Sequence, residues 1–262
     1  MKIDLKGKNA LIGGSSQGIG AAIALRFAEA GANLLLLARS EDNLKKVIST
    51  LPNDGSQVFD YAVVDFNNLN SLSQIVSEKL IKFITFNIIV NNTGGPLPAP
   101  AHNGTIEDFS KGLTMHLFAY QTILKIVLGG MKESRYGRII NITSVGAKQP
   151  VDNLGVSNTV RGAVSAWSKT LSRELAPFGI TVNNILPGYI NTDRLSSLFQ
   201  NISLTKQVSV DEVIKNKLEE IPAGRLGEAE EIANASAFLA SDLASYISGI
   251  NLPVDGGLLR TL

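Results

Sequence analysis

The plainest chemical signal in this 262-residue chain is the run Gly14-Ser15-Ser16-Gln17-Gly18-Ile19-Gly20. It follows a short apolar run, Ala10-Leu11-Ile12, and opens a stretch of helical period from Ile19 to Ala30. Glycines at such a strand-to-helix turn let the backbone bend tightly and approach a bound group, and the free N–H groups of the helix start attract anions. The anion that suits this loop is the pyrophosphate of a nicotinamide dinucleotide, held by Gly14, Ser16, Gln17, Gly18, Ile19 and Gly20. Farther along, the second apolar run ends Leu36-Leu37-Ala38-Arg39-Ser40, with no carboxylate before Glu41. A carboxylate at that point grips the ribose 2′-hydroxyl of NAD(H). Arg39 and Ser40 suit a 2′-phosphate instead, so the expected cofactor is NADP(H) in preference to NAD(H).

Other chemistries are excluded by composition. The chain has no cysteine, which removes disulfides, thiolate metal sites and a cysteine nucleophile together. Two histidines, His102 and His116, are too few for a zinc site, and no metal is expected. The net charge is +1 and no five like charges run together, which argues against a nucleic-acid surface. Met1 to Leu5 lacks the apolar stretch of a signal peptide, and no segment reaches the roughly 18 apolar residues of a membrane span, so a soluble, cytoplasmic protein is expected.

The elements that must position these residues alternate along the whole chain. Apolar runs at Leu34–Leu37, Val58–Val64, Phe86–Val90, Arg138–Ile142, Thr181–Leu186 and Ile250–Val254 are separated by helical stretches, among them 105–129 and 154–176. The runs are nearly continuous in apolar residues, as when helices cover both faces of a sheet. The expected architecture is α/β: one Rossmann domain over residues 1–262, with a doubly wound parallel sheet of about seven strands. Two segments break the rhythm, a Pro/Gly loop at Gly94–Gly104 and a polar stretch at 191–227 that reads as an inserted substrate flap. Both should border the crevice at the carboxyl ends of the strands.

Further motifs follow in order: Asp65 in Val63-Val64-Asp65, Asn91-Asn92-Thr93-Gly94, Asn141-Ile142-Thr143-Ser144, Pro187-Gly188-Tyr189-Ile190-Asn191-Thr192 and Val254-Asp255-Gly256-Gly257. With the glycine loop, this set resembles the short-chain dehydrogenase/reductase family, whose members include 3-oxoacyl carrier-protein reductases, over essentially the whole chain. The resemblance implies that Asp65 bonds the adenine and that Asn92 and Gly94 line the adenosine channel. It places Pro187 and Gly188 beside the cofactor, sets Ile190 and Thr192 on the nicotinamide amide, and implies a homotetramer or homodimer built on two long helices. It also implies hydride transfer to or from a small carbonyl or alcohol substrate.

The same resemblance exposes a departure. Ser144 matches the family's substrate-orienting serine, but Ser157 stands at the tyrosine position, Arg161 at the lysine position, and His116 where asparagine is usual. A tyrosine of lowered pKa supplies the proton that a developing alkoxide needs, and a serine hydroxyl is far too weak an acid for that task. Arg161 keeps a cation one helical turn from Ser157, able to hold the ribose hydroxyls or an anionic substrate without shuttling protons. His116 is either a replacement proton donor or a helix histidine bonded at the crevice floor; Tyr189 is an alternative acid. Two functions therefore stand: an oxidoreductase with a rebuilt site of Ser144, Ser157, Arg161 and His116, or a dinucleotide-binding protein with little or no turnover.

Overall fold

The computed structural model describes residues 3–261. Its strands are β1 (Asn9–Gly13), β2 (Asn33–Ala38), β3 (Phe59–Val63), β4 (Ile88–Asn91), β5 (Gly137–Ile142), β6 (Ile180–Pro187) and β7 (Asn251–Val254). They form one seven-stranded sheet in the order β3-β2-β1-β4-β5-β6-β7, with every pairing parallel. Each of the seven apolar runs read from the sequence is one of these strands, with ends shifted by a residue or so. The order of strand addition reverses between β1 and β4, which opens a crevice at their carboxyl ends.

The helices are α1 (Gly18–Glu29), α2 (Glu41–Thr50), α3 (Leu69–Phe83), α4 (Ile106–Leu113), α5 (Ala119–Glu133), α6 (Gly155–Leu175), α7 (Asp193–Lys206), α8 (Val210–Glu220) and α9 (Ala229–Ala240). Alternate strand residues feed two separate cores. Ala10, Ile12, Leu34 and Leu36 pack with α1 and α9, while Leu11, Leu35, Leu37 and Ile89 pack with α3, α5 and α6. Burial on both faces explains why these strands show no polar alternation. Each buried leucine contributes roughly 1.5–3 kcal/mol.

Two expectations change in detail. The helical stretch at 105–129 is interrupted: α4 passes into α5 through a wide turn over Thr114–Phe118 with π-type hydrogen bonding, and Thr105 caps its start. Such wide turns open the backbone ladder locally and occur often at functional sites. The polar stretch at 191–227 contains the pair α7 and α8, which has a small core of its own in Leu195, Phe199 and Val213.

A row of amides, buried except at its β7 end, crosses the sheet between the apolar residues. Asn91, Asn141, Asn184 and Asn251 stand in register on β4, β5, β6 and β7. Asn91 Nδ2 donates to Asn141 Oδ1 at 2.7 Å, Asn141 Nδ2 to Asn184 Oδ1 at 3.0 Å, and Asn184 Nδ2 to Asn251 Oδ1 at 2.7 Å. Ser168 of α6 accepts from Asn141 Nδ2 at 2.8 Å and ties the row to that helix. Asn141→Ala would strand the buried Asn91 Nδ2 and leave Asn184 Oδ1 with Ser168 Oγ, at 2.7 Å, as its remaining partner. Urea denaturation should show a loss of about 2 kcal/mol, from the cost of a buried polar group left unpaired; a loss under about 0.5 kcal/mol would mean that the row carries no such weight.

Candidate active site

The glycine loop lies between β1 and α1. Gly14 and Gly18 have φ of +57° and +54°, a region that a side chain disfavours. At Gly20 an added Cβ would strike the Gly14 carbonyl oxygen, so the helix start packs directly on the loop. Asn92, just after β4, braces the loop from the other side: its Nδ2 donates to the carbonyls of Gly13 at 3.1 Å and Gly14 at 3.2 Å. Gln17 precedes α1 in extended backbone and its side chain caps nothing, and no acid lies in the first turn. The free N–H groups therefore face outward, as an anion site requires.

A cavity of about 330 Å³ opens on this loop. Of the residues expected to hold a dinucleotide, Gly14, Ser16, Gln17, Gly18, Ile19, Arg39, Ser40, Asp65, Asn92, Gly94 and Thr192 line it. Gly20, Pro187, Gly188, Ile190 and Arg161 lie outside that lining. Gly20 supports Gly14, Pro187 ends β6, Gly188 donates to the Val254 carbonyl at 3.1 Å, and Ile190 is buried. Arg39 is exposed at the end of β2 and forms no ion pair among the described residues. Ser40 caps α2, its Oγ accepting from Asn43 N at 3.4 Å, which leaves its hydroxyl proton available. Asp65 Oδ1 accepts from the Asn67 backbone at 2.9 Å, so its carboxylate is held in place beside the cavity. Sequence reasoning missed Thr93, Met115 and Arg194 in this lining; the signal for Arg194 was its place directly after the Thr192-Asp193 helix start.

The residues with reactive side chains lie outside that lining. Ser144 caps a short turn after β5, with Oγ accepting from Gly146 N at 3.0 Å and its proton unassigned to any partner. Ser157 is buried near the start of α6, and Arg161 stands one turn farther on. Arg161 is 8% exposed, and its Nη1 donates to the carbonyls of Ile142 at 3.0 Å and Thr143 at 2.6 Å. Burial brings its pKa down to about 10, which leaves it cationic at neutral pH. The two carbonyl dipoles offset part of the cost of placing that charge indoors.

His116 lies within the wide turn and is only 1% exposed. Nδ1 is 2.9 Å from the Gly112 carbonyl, and since a carbonyl only accepts, Nδ1 carries the proton. Nε2 is then a bare acceptor, buried and without a partner among the described residues. Burial first, and the Arg161 charge second, hold the imidazole pKa at about 3. A ring neutral at pH 7 cannot give up a proton as an imidazolium; its lone pair can accept a hydrogen bond from a substrate hydroxyl. One turn along, Tyr120 OH is 3.0 Å from Thr93 Oγ1, and burial raises its pKa. Tyr189 turns towards the flap, with its ring near Phe199 and under Lys217, and burial raises its pKa as well. His102 is exposed in the loop after β4.

Parallel sheet, strand order and glycine-lined crevice define an α/β protein of the Rossmann class. The chain belongs to the short-chain dehydrogenase/reductase family of oxidoreductases. A family model described as enoyl-(acyl carrier protein) reductase matches residues 14–259. The NADPH-dependent reductase BacG of Bacillus subtilis is 32% identical over 259 residues, spanning 97% of this chain and 99% of that protein. The 3-oxoacyl-(acyl-carrier-protein) reductase FabG of Escherichia coli is 34% identical over 258 residues, covering 98% and 99% respectively. Among solved structures, L-sorbose reductase from Gluconobacter frateurii, complexed with NADPH and L-sorbose, superposes with a TM-score of 0.93 at 30% identity over 100% of both chains.

The neutral imidazole has a measurable consequence. Its pKa in the folded protein lies below that of the unfolded chain, so between about pH 6.5 and 3 the unfolded state binds a proton that the folded state refuses, and stability falls as pH falls through that window. From pH 6.5 to 5 this group alone should remove about 2 kcal/mol. His116→Gln should show a correspondingly smaller drop in urea midpoint between those two pH values. An equal drop in both proteins would mean that His116 is protonated when folded.

Proposed function

We propose that the chain is an NADP(H)-dependent oxidoreductase acting on a carbonyl or alcohol substrate, with Ser144, Ser157, Arg161 and His116 forming an atypical active site. The observation that carries the cofactor choice is Arg39, without an ion-pair partner among the described residues at the end of β2, in the same cavity as the glycine loop and with no carboxylate on that strand end. The loop N–H groups and Ser16 hold the pyrophosphate, Arg39 and Ser40 the 2′-phosphate, and Asp65, Asn92 and Gly94 the adenosine half. Pro187, Gly188, Ile190 and Thr192 shape the nicotinamide end, and Arg161 reaches the ribose hydroxyls. The close fit of Gly20 on Gly14 and the uncapped start of α1 support this assignment. When bound, the cofactor supplies or accepts the hydride.

The protein's own share of the reaction is to stabilise charge. As hydride adds to a carbonyl carbon, negative charge grows on its oxygen, and donors already in place stabilise it without reorganising. Ser144 and Ser157 present hydroxyls and Arg161 presents a fixed cation. Protonation of the product oxygen then falls to water, since at pH 7 His116 is a neutral imidazole and Arg161 keeps its proton as a stable cation. Lacking a general acid costs roughly 100- to 10,000-fold, part of which fixed charge recovers. The same lack of an acid favours a second reading, a dinucleotide-binding protein with little or no turnover. A homotetramer or homodimer built on α5 and α6 belongs to either reading. No helix among the described residues is long and apolar enough to cross a membrane.

Fluorescence titration should show that Arg39→Ala weakens NADPH binding roughly tenfold to hundredfold while leaving NADH nearly unchanged, as expected for a charge-assisted contact to phosphate. Equal losses for both would remove the 2′-phosphate assignment. Stopped-flow oxidation of bound NADPH across ketones, aldehydes and acyl thioesters separates the two functional readings: tight binding with no turnover on any of them selects the second. In a competent site, Ser157→Tyr with Arg161→Lys restores an acid and should raise carbonyl reduction by about tenfold or more; no gain would show that the pocket does not present a carbonyl to the nicotinamide.

A further inference from the structure

The cavity on the glycine loop contains two cations, and they stand on opposite sides of that loop. Among the described residues of the lining, Arg39 and Arg194 are the only ones with a positive charge. Arg39 directly follows β2, whereas the Arg194 guanidinium lies over Gly95, in the loop after β4. The sheet order places β2 and β4 on either side of β1, whose end carries the glycine loop. With neighbouring strands about 4.8 Å apart, the ends of β2 and β4 are separated by roughly 10 Å, and the loop lies between them.

Arg194 is the second residue of α7. A cation in the first turn of a helix opposes the partial positive charge of the free N–H groups there, so helix stability does not account for its position. Its side chain makes one hydrogen bond among the described residues, from Nη1 to the Gly95 carbonyl at 3.5 Å, the outer limit for such a bond. Gly95 permits this approach by lacking a side chain: an added Cβ would strike Nη2. Asp193 shares the lining, yet no carboxylate among the described residues forms an ion pair with Arg194. The guanidinium is therefore held against the loop after β4 with most of its donors free. The start of α7 reaches the glycine loop as well, since Thr192 Cγ2 stands 3.3 Å from where a Cβ at Gly18 would be. Backbone N–H groups of that loop solvate an anion without neutralising it, and a guanidinium fork matches two phosphate oxygens.

We propose that Arg194 clamps the cofactor pyrophosphate from the flap, opposite the glycine loop, and that a bound dinucleotide thereby holds α7 and α8 against the crevice. The proposal rests on the dinucleotide reading of the crevice and needs no turnover, so it holds under either functional reading above. The 2′-phosphate falls to the β2 side with Arg39, which leaves the pyrophosphate as the cofactor anion on the side of Arg194. Arg39 then distinguishes NADPH from NADH, while Arg194 serves both, because both carry the pyrophosphate. Since α7 and α8 share a core in Leu195, Phe199 and Val213, a contact made in the first turn of α7 governs the position of both helices.

The test titrates NADPH and NADH separately, by fluorescence, into the unaltered protein and its variants. Arg194→Gln should weaken both dinucleotides by the same factor, about tenfold, the worth of a hydrogen bond to a charged group. Arg194→Lys, which keeps the charge and loses the fork, should recover part of the affinity for both. Hydrogen exchange supplies a second readout. Saturating NADPH should slow the amides of α7 and α8 by up to about tenfold in the unaltered protein and by less than about twofold in Arg194→Gln. Unchanged affinity for both dinucleotides in Arg194→Gln would overturn the proposal. So would a loss confined to NADPH, which assigns Arg194 to the 2′-phosphate, or flap protection that survives the substitution in full. These outcomes leave the dinucleotide reading standing. An unaltered protein that binds neither dinucleotide removes that reading, and the clamp with it.

Discussion

A row of four amides, three of them buried, sets the height at which the strand ends meet the crevice. The chain Asn91–Asn141–Asn184–Asn251 runs side chain to side chain across β4, β5, β6 and β7. Apolar residues around it would pack almost as well one step out of place, since leucine and isoleucine fill space without direction. Amides do not permit that slip: a shift of one residue would leave each buried donor and acceptor unpaired, at roughly 1–3 kcal/mol apiece. Asn91 leads directly into Asn92, β5 into Thr143 and Ser144, and β6 into the turn that reaches Thr192. The brace on the glycine loop, the carbonyls that hold Arg161 and the cap of α7 all inherit their positions from this row.

The interior of the crevice is organised around charge that does not titrate near neutrality. Arg161 stays cationic because two carbonyls receive it, and His116 stays neutral because burial and that same cation oppose its protonation. The wide turn between α4 and α5 sets the histidine against the Gly112 carbonyl, fixing one tautomer. Gly112 permits this by lacking a side chain: an added Cβ would stand 3.0 Å from Val160 of α6. Helix spacing, tautomer and charge state are thus one arrangement, and a change in any of them alters the others.

Much of this was legible in the sequence, and what was not has a physical explanation. The glycine loop could be read because its residues are contiguous and its geometry is local. Arg39 could be read because it ends a strand that follows the loop at short range. The seven strands showed as apolar runs because both faces of each are covered. The asparagine row was invisible, since its members are separated by dozens of residues and only strand order and register bring them together. The tautomer and charge state of His116 were equally hidden. They depend on a local widening of the helix and on Arg161, 45 positions later in the chain. Arg194 was passed over because a polar helix start reads as solvent-facing; only the fold lays it over Gly95.

The separate core of the flap has a consequence for how the protein opens. Leu195, Phe199 and Val213 pack with each other rather than with the sheet, and the main contacts of α7 are with α8. The flap touches the glycine loop where Thr192 Cγ2 would meet a side chain at Gly18, 3.3 Å away. A helix pair with a core of its own can loosen while both main cores stay packed. Its amides should exchange with solvent through this local excursion, at a free energy well below that of global unfolding. Residence time in the crevice and the rigidity of the sheet beneath it are then set by different parts of the molecule, and selection can tune the first without loosening the second.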